Sequence, residues 1–313
     1  MLYSTKTPAQ KRRALRTLLT PGAAQPFPGA FTPLSVTLIE EKGFPGVYIS
    51  GAVLANELGL PDVGLTSLTE VAARGGQIAR STDLPCLIDA DTGFGEAMNV
   101  ARTVQELEDA GLAGCHIEDQ INPKRCGHLD GKTMVDLDTA TQRIRAAADA
   151  RRDPDFLVMA RTDLRATSGL DAAIDRMKAL VDAGADAVFP EALADLTEFE
   201  QVCAALDVPV LANMTEFGKS ELFTRAQLAE AGVAMVIYPV TLLRTAMGAA
   251  ERMLETILSE GTQAPRVDEM LTRARLYELV DYEGYNRFDA SVFDVEVPTA
   301  HHTHTGSDPR RDT

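Results

Sequence analysis

The chain has 313 residues, 45% of them hydrophobic and 24% charged, with a formal net charge of −16. A surface that negative disfavours nucleic acid and anionic membranes as partners, and no apolar run reaches the length of a membrane span. Four scattered cysteines without paired spacing argue against a disulfide framework or a zinc ribbon and place the chain in a reducing cytoplasm.

The first residues, MLYSTKTPAQKRRALRTLLT, are basic but lack the apolar core and small-residue cleavage site of a secretory signal. A basic amphipathic helix packed on the body of the protein is expected there. One pattern then recurs along the chain. Leu-Ile-Glu-Glu-Lys-Gly43 precedes VYIS, Leu-Glu-Asp-Ala-Gly111 precedes CHIE, Leu-Val-Asp-Ala-Gly184 precedes AVFP, and Leu-Ala-Glu-Ala-Gly232 precedes MVIYP. Each is an amphipathic helix ending at a glycine suited to a left-handed cap and followed by a short buried strand. Further apolar runs bring the candidate strands to eight: Pro28 to Phe31, Val47 to Ser50, Leu87 to Asp89, Cys115 to Glu118, Leu157 to Arg161, Ala187 to Pro190, Val210 to Ala212 and Val236 to Tyr238. Continuous apolar strands alternating with helices predict a parallel sheet covered on both faces, and eight of them favour a closed α/β barrel over an open doubly wound sheet.

In such a barrel the chemistry lies where the strands end. Those ends hold Ser50 and Gly51, Asp89 and Asp91, Glu118, Arg161 and Asp163, Glu191, Asn213 and Thr215, and Pro239. Asp89 and Asp91, with few other protein ligands near them, suit Mg²⁺, which keeps several waters and leaves positions for substrate oxygens. An Asp-x-Asp alone is more often a turn, and its place at a strand end is what raises it.

The stretch IEDQINPKRCGHLDGK, from Ile117 to Lys132, reads as a closing active-site loop. Lys124, Arg125 and His128 surround Cys126 with positive charge, the setting that lowers a thiol pKa, although a charged surface loop can also hold an idle thiol. Cys86, Cys115 and Cys203 sit in apolar runs and read as inert core residues. After the last strand, residues 241 to 262 read as a long helix and residues 267 to 288 as a further one. Their surplus apolar residues predict subunit contacts. A single domain is expected over 1–298, with a polar, disordered tail from Thr299 whose three histidines are most simply solvated.

KRCGH followed by a lysine, together with VYISG, GLPDVG, DADTGFG, HIEDQ, MARTD, FPEA, ANMTEFG and TRARLYE, resembles the isocitrate lyase and phosphoenolpyruvate mutase superfamily from about Phe31 to about Tyr282. Within it the likeness is to the branch of lyases that act on 2-methylisocitrate. The resemblance implies a (β/α)8 barrel with C-terminal helices exchanged within a homotetramer, and a Mg²⁺-dependent carbon–carbon cleavage of a small anionic carboxylate that releases pyruvate and succinate. It assigns Asp89 and Asp91 to the metal, with Asp62 nearby. Ser50, Gly51, Ala52, Cys126, Gly127, Arg161, Glu191, Asn213, Met214, Thr215, Arg244 and Arg273 match substrate contacts. Glu118, Lys124 and His128 match supporting catalytic residues, Cys126 the acid, and Tyr48 a candidate base whose simpler role is a packed strand aromatic.

Two positions depart from the family pattern. Ala52 stands where many relatives have a second glycine, and Leu129-Asp130-Gly131 replaces an Arg-Pro-Asn of many 2-methylisocitrate-acting relatives, which keeps isocitrate open as the substrate. A catalytically silent barrel that binds a dicarboxylate is the alternative from another class.

Overall fold

Among the described residues eight short strands pair in parallel throughout: β1 (Gln25–Pro28), β2 (Val47–Ile49), β3 (Cys86–Asp89), β4 (Gly114–Glu118), β5 (Leu157–Thr162), β6 (Ala187–Pro190), β7 (Leu211–Asn213) and β8 (Met235–Tyr238). The ladders run β2-β3-β4-β5-β6 and β1-β8-β7, and single bridges between Gly29 and Tyr48 and between Val188 and Val210 join the two into a closed ring. The computed structural model describes residues 4–125, 131–218 and 220–293. The expected barrel is therefore present. Its helices end as the sequence pattern predicts, with Gly43, Gly111, Gly184 and Gly232 all at positive φ.

The first strand lies three residues earlier than its apolar run indicates, at Gln25–Pro28 rather than 28–31. Gln25 and Gly29 donate their N–H groups to Ala234 and Tyr238 of the β8 side, whereas Ala30 donates to Tyr48 of β2. Odd positions thus face β8 and even positions face β2. Pro26 and Pro28 fall on the even row, where β2 has not yet begun to pair and a missing N–H forfeits nothing. Thr32 then caps the helix Pro33–Glu41 and ends the extended run.

Alternation along each strand makes two cores. Tyr48, Leu87, Leu157, Met159, Phe189, Leu211, Met235 and Ile237 fill the barrel, and Val47, Ile49, Cys86, Ile88, Cys115, Val158 and Ala160 pack outward beneath the helices. Leu15 and Leu19 close the barrel floor from the N-terminal helix Pro8–Leu18. That helix is the basic amphipathic segment expected from the sequence. Its Lys11 donates to the carbonyls of Ala79 and Thr82, and its Arg12 to those of Glu108 and Leu112.

By internal contacts the chain divides into a larger unit ending at Met270 and a smaller one beginning at Leu271. The segment expected as one helix over 267–288 is broken into a 3-10 turn (Ala264–Glu269) and the helices Arg273–Leu279 and Tyr282–Phe293. Thr272 accepts from Arg275 N–H and starts a new helix, and Asp281 at φ 51° interrupts the next turn. The tail from Thr299 lies outside the described residues.

Asp83 ties the N-terminal segment to the barrel. Its carboxylate accepts Ser4 Oγ at 2.5 Å, Thr5 N–H at 2.7 Å and Lys6 N–H at 2.9 Å, and Thr5 Oγ1 at 2.5 Å. Burial alone would raise its pKa, but these donors outweigh it and hold the carboxyl far below its ordinary value. A carboxyl depressed in the folded state contributes stability that is present above about pH 4, its unfolded range, and is lost as pH falls toward the folded value. Urea unfolding of the wild type should accordingly weaken more between pH 5 and pH 3 than that of Asp83→Asn. Equal losses in the two proteins would show that the tether contributes nothing.

Candidate active site

The inward rows begin apolar at the floor and end polar at the mouth. On β3 Leu87 is followed by Asp89, on β4 His116 by Glu118, and on β5 Leu157 and Met159 by Arg161. On β6 Phe189 is followed by Glu191, and on β7 Leu211 by Asn213. Asp89, Asp91, His116, Glu118, Arg161 and Glu191 are all buried, so each charge must find its partner inside the protein.

Asp89 accepts the N–H groups of Gly51 (3.2 Å) and Asp91 (2.9 Å). A Cβ at Gly51 would sit 2.9 Å from Asp89 Oδ2, so only glycine lets the backbone come so near. Asp91 is held at φ 46°, a conformation rare outside glycine, with Thr66 Oγ1 3.4 Å from its Oδ2. Lys124 Nζ stands 2.7 Å from Asp91 Oδ1 and also contacts Asp62. Burial pushes the Asp91 carboxyl up to about 6 against the pull of Lys124. Burial acts on Asp89 too, but His116, Lys124 and Arg161 pull its pKa below the ordinary value.

Arg161 is the centre of the second cluster. Its Nε lies 3.1 Å from Asp163 and 3.3 Å from Glu118, its Nη2 3.0 Å from Glu191, and its guanidinium 5.0 Å above the Phe189 ring. Burial raises the Glu118 pKa well above the usual carboxylate range, and among the described residues neither oxygen of Glu118 accepts a hydrogen bond. Asn213 Nδ2 is 3.4 Å from Glu191 Oε1. Tyr48 and His116 lie deeper, their rings stacked and Tyr48 OH 2.7 Å from His116 Nε2. Burial holds the phenol pKa well above its usual value and lowers the imidazole to about 4, so both groups are neutral at pH 7.

A cleft of about 800 Å³, lined among others by Ala52, Asp62, Thr215 and Arg244, opens at the mouth, within the size of small-molecule sites. Arg244 Nη1 bonds Glu216 O (2.8 Å) and Oε2 (2.9 Å) and approaches Thr215 Oγ1 at 3.3 Å. Ser50 is buried at the start of the helix Gly51–Glu57, and Met214 is buried beside Phe223, whose N–H meets its sulfur. Asp62, Asp89, Asp91, Glu118 and Lys124 thus form one connected cluster. Cys126, Gly127 and His128 lie outside the described residues, and Arg273 opens the first helix of the smaller unit. The other cysteines are as inert as their runs predict, burial raising Cys86 to about 12 and Cys203 to about 11.

Sequence reading gave no role to two residues that the structure brings to the cluster, His116 and Lys132. His116 could have been found by parity, since it precedes Glu118 by two on the same strand. Lys132, whose Nζ is 2.8 Å from Asp163, carried no local signal.

The donor set fits Mg²⁺: hard carboxylate oxygens, two of them on Glu118 without a hydrogen-bond donor among the described residues, and a glycine that leaves room at Asp89. Among the described residues no three or more His, Cys, Asp or Glu side chains are grouped to enclose an ion.

A closed parallel barrel with carboxylates and arginine buried at its strand ends is the arrangement of a (β/α)8-barrel enzyme. Residues 15–258 match the phosphoenolpyruvate phosphomutase family, and the chain belongs to it. It is 57% identical to "Probable 2-methylisocitrate lyase 2" of Corynebacterium glutamicum, over 94% of this chain and 95% of that protein. It is 46% identical to the 2-methylisocitrate lyase of Escherichia coli, over 87% and 93% of the two chains. Among solved structures, 2,3-dimethylmalate lyase superposes with a TM-score of 0.84 at 34% identity, covering 92% and 96%. A phosphonopyruvate hydrolase in complex with oxalate and Mg²⁺ does so with a TM-score of 0.81 at 27% identity, covering 93% and 100%.

Arg161→Met should destabilise the protein by about 3–5 kcal/mol in urea unfolding, because it leaves Asp163, Glu118 and Glu191 as buried carboxylates without their shared cation. A loss below about 1 kcal/mol, the size of an exposed pair, would mean the carboxylates relax to solvent.

Proposed function

We propose that the protein is a Mg²⁺-dependent lyase of the cytoplasm that cleaves 2-methylisocitrate to pyruvate and succinate. The observation that carries this reading is the set of buried polar strand ends, Asp89, Glu118, Arg161 and Glu191, in a chain more than half identical to a protein named for that activity. Among the described residues no helix is long and apolar enough to cross a membrane.

Asp89 and Asp91 would hold the metal, with Asp62 and Glu118 in its surroundings. When bound, Mg²⁺ supplies Lewis-acid polarisation of the substrate hydroxyl and the adjacent carboxylate. Arg161 and Arg244 bind and orient the remaining carboxylates, with Arg273 assigned the same role by family likeness, and the strand-end backbone of Ser50, Gly51 and Ala52 receives the 2-oxo-acid part. The hydroxyl proton passes to the Tyr48 oxygen as the Tyr48 proton is handed to His116 Nε2, which lies 2.7 Å from that oxygen. The carbon–carbon bond breaks, the pyruvate carbonyl forms, and the electron pair enters the enediolate of succinate. Cys126 gives that carbanion its proton, and His128 and Lys124 stabilise the charge that develops.

A coupled assay with 2-methylisocitrate and isocitrate side by side tests the reading. Pyruvate should form from the first far faster than glyoxylate from the second, and the reverse order would reassign the substrate. Asp89→Ala and Asp91→Ala should each abolish turnover without unfolding the protein, and undiminished turnover under thorough chelation would remove the metal assignment. Cys126→Ser should lower turnover by about 10² to 10⁴, the range of a general acid, with little change in substrate affinity.

The same reading includes a homo-oligomer, most simply a tetramer. Among the described residues the helix Thr241–Glu260 buries only Thr256 of its 20 residues, and Leu254 and Leu258 are 66% and 90% exposed. A face that apolar is covered in a stable protein. Leu254→Asp with Leu258→Asp should shift the protein to smaller species in light scattering, and an unchanged mass would exclude this face from the contact.

A further inference from the structure

Lys132 is a buried cation to which the mechanism above gives no task. Its side chain is 2% exposed, and its Nζ lies 2.8 Å from Asp163 Oδ1, whose side chain is fully buried. That carboxylate is also the one that grips Arg161: Oδ2 takes Arg161 Nε at 3.1 Å and Oδ1 takes Nη2 at 3.3 Å. The Asp163 backbone N–H is in turn fixed by Asp119 Oδ1 at 3.2 Å. Lys132 and Arg161 therefore share Asp163, both reaching its Oδ1.

The charge count explains why sharing matters. Burial disfavours the charged form of Glu118, and counting only Asp163 and Glu191 as ionised still sets two carboxylates against one guanidinium at the point where an anionic substrate has to dock. A guanidinium so outnumbered presents little positive field. A second cation on Asp163 restores part of that field and holds the carboxylate against the Nε side of the guanidinium, leaving Arg161 oriented. We infer that Lys132 is a positioning residue for substrate binding, acting through Asp163 to keep Arg161 aimed and effective as a carboxylate receptor.

This inference rests on the proposed role of Arg161 in binding substrate. Lys132 could instead serve only to anchor the chain that follows residues 126–130, and the two roles differ in what they move. An anchor alters folding or turnover, whereas a charge partner of Asp163 alters affinity for anions and is replaced by another cation or made dispensable by removing the charge it balances.

The test uses Lys132→Met, Lys132→Arg, Asp163→Asn and the double variant Lys132→Met/Asp163→Asn, with thermal melts, steady-state kinetics on 2-methylisocitrate and calorimetric titration with succinate. Lys132→Met should raise KM and the succinate Kd about tenfold or more while kcat falls by a smaller factor, and Lys132→Arg should stay within about threefold of wild type. The double variant should recover most of the affinity lost in Lys132→Met, because the unbalanced carboxylate is gone. Unchanged KM and succinate Kd in Lys132→Met, or a double variant no better than the product of the two single effects, overturns the inference. Should Lys132→Met not fold, the double variant alone decides: succinate affinity within about threefold of wild type supports the inference, and a weakening of about tenfold or more overturns it. Failure of the wild type to cleave 2-methylisocitrate would count against the proposed reaction, while succinate binding would still judge the link from Lys132 to Arg161.

Discussion

The charges at the heart of the candidate site, Asp89, Asp91, Glu118, Lys124, Arg161 and Glu191, are buried at the mouth of the barrel above a mostly apolar floor, and the structure depends on neutralising them internally. An unpaired ion there would cost several kcal/mol, so Arg161 and Lys124 are each surrounded by carboxylates. The same enclosure that makes the charges expensive makes their fields strong at short range. Asp89 and Asp91, two residues apart, consequently move in opposite directions, one below the ordinary carboxylate pKa and one up to about 6.

The barrel was legible because its strands are continuous apolar runs, four of them delivered by a helix that ends in glycine. Seven of the eight strands lie within one or two residues of their runs. The first does not, since two prolines hide a strand unless the parity of its N–H groups is considered. The C-terminal segment was misjudged for a related reason: an apolar repeat over 267–288 conceals the break that Thr272 and Asp281 impose.

The site was legible where its residues stand at strand ends. Asp89, Glu118, Arg161 and Glu191 could be placed by position alone, and their inward orientation follows from alternation. What could not be read were the pairings across the chain. Lys132 and Asp163 are 31 positions apart, and Lys124 and Asp62 are 62 apart. Nothing local to Lys132 distinguishes it from a solvated lysine, because its significance is the carboxylate that a different strand brings to it.

The floor of the barrel handles its cations in another way. Lys11, Arg12 and Arg16 donate mainly to backbone carbonyls, those of Ala79, Glu108 and Phe156 among them, at the C-terminal ends of helices and at the start of a strand. Backbone carbonyls do not titrate, so these contacts are indifferent to proton concentration, with the Asp83 tether and the pairs Arg12–Asp153 and Arg16–Asp186 as acid-sensitive contacts beside them. Acidification should therefore reach the two ends of the barrel unequally: the catalytic end, whose cations are held by carboxylates, loses its internal neutrality while the opposite end keeps the carbonyl contacts of Lys11, Arg12 and Arg16.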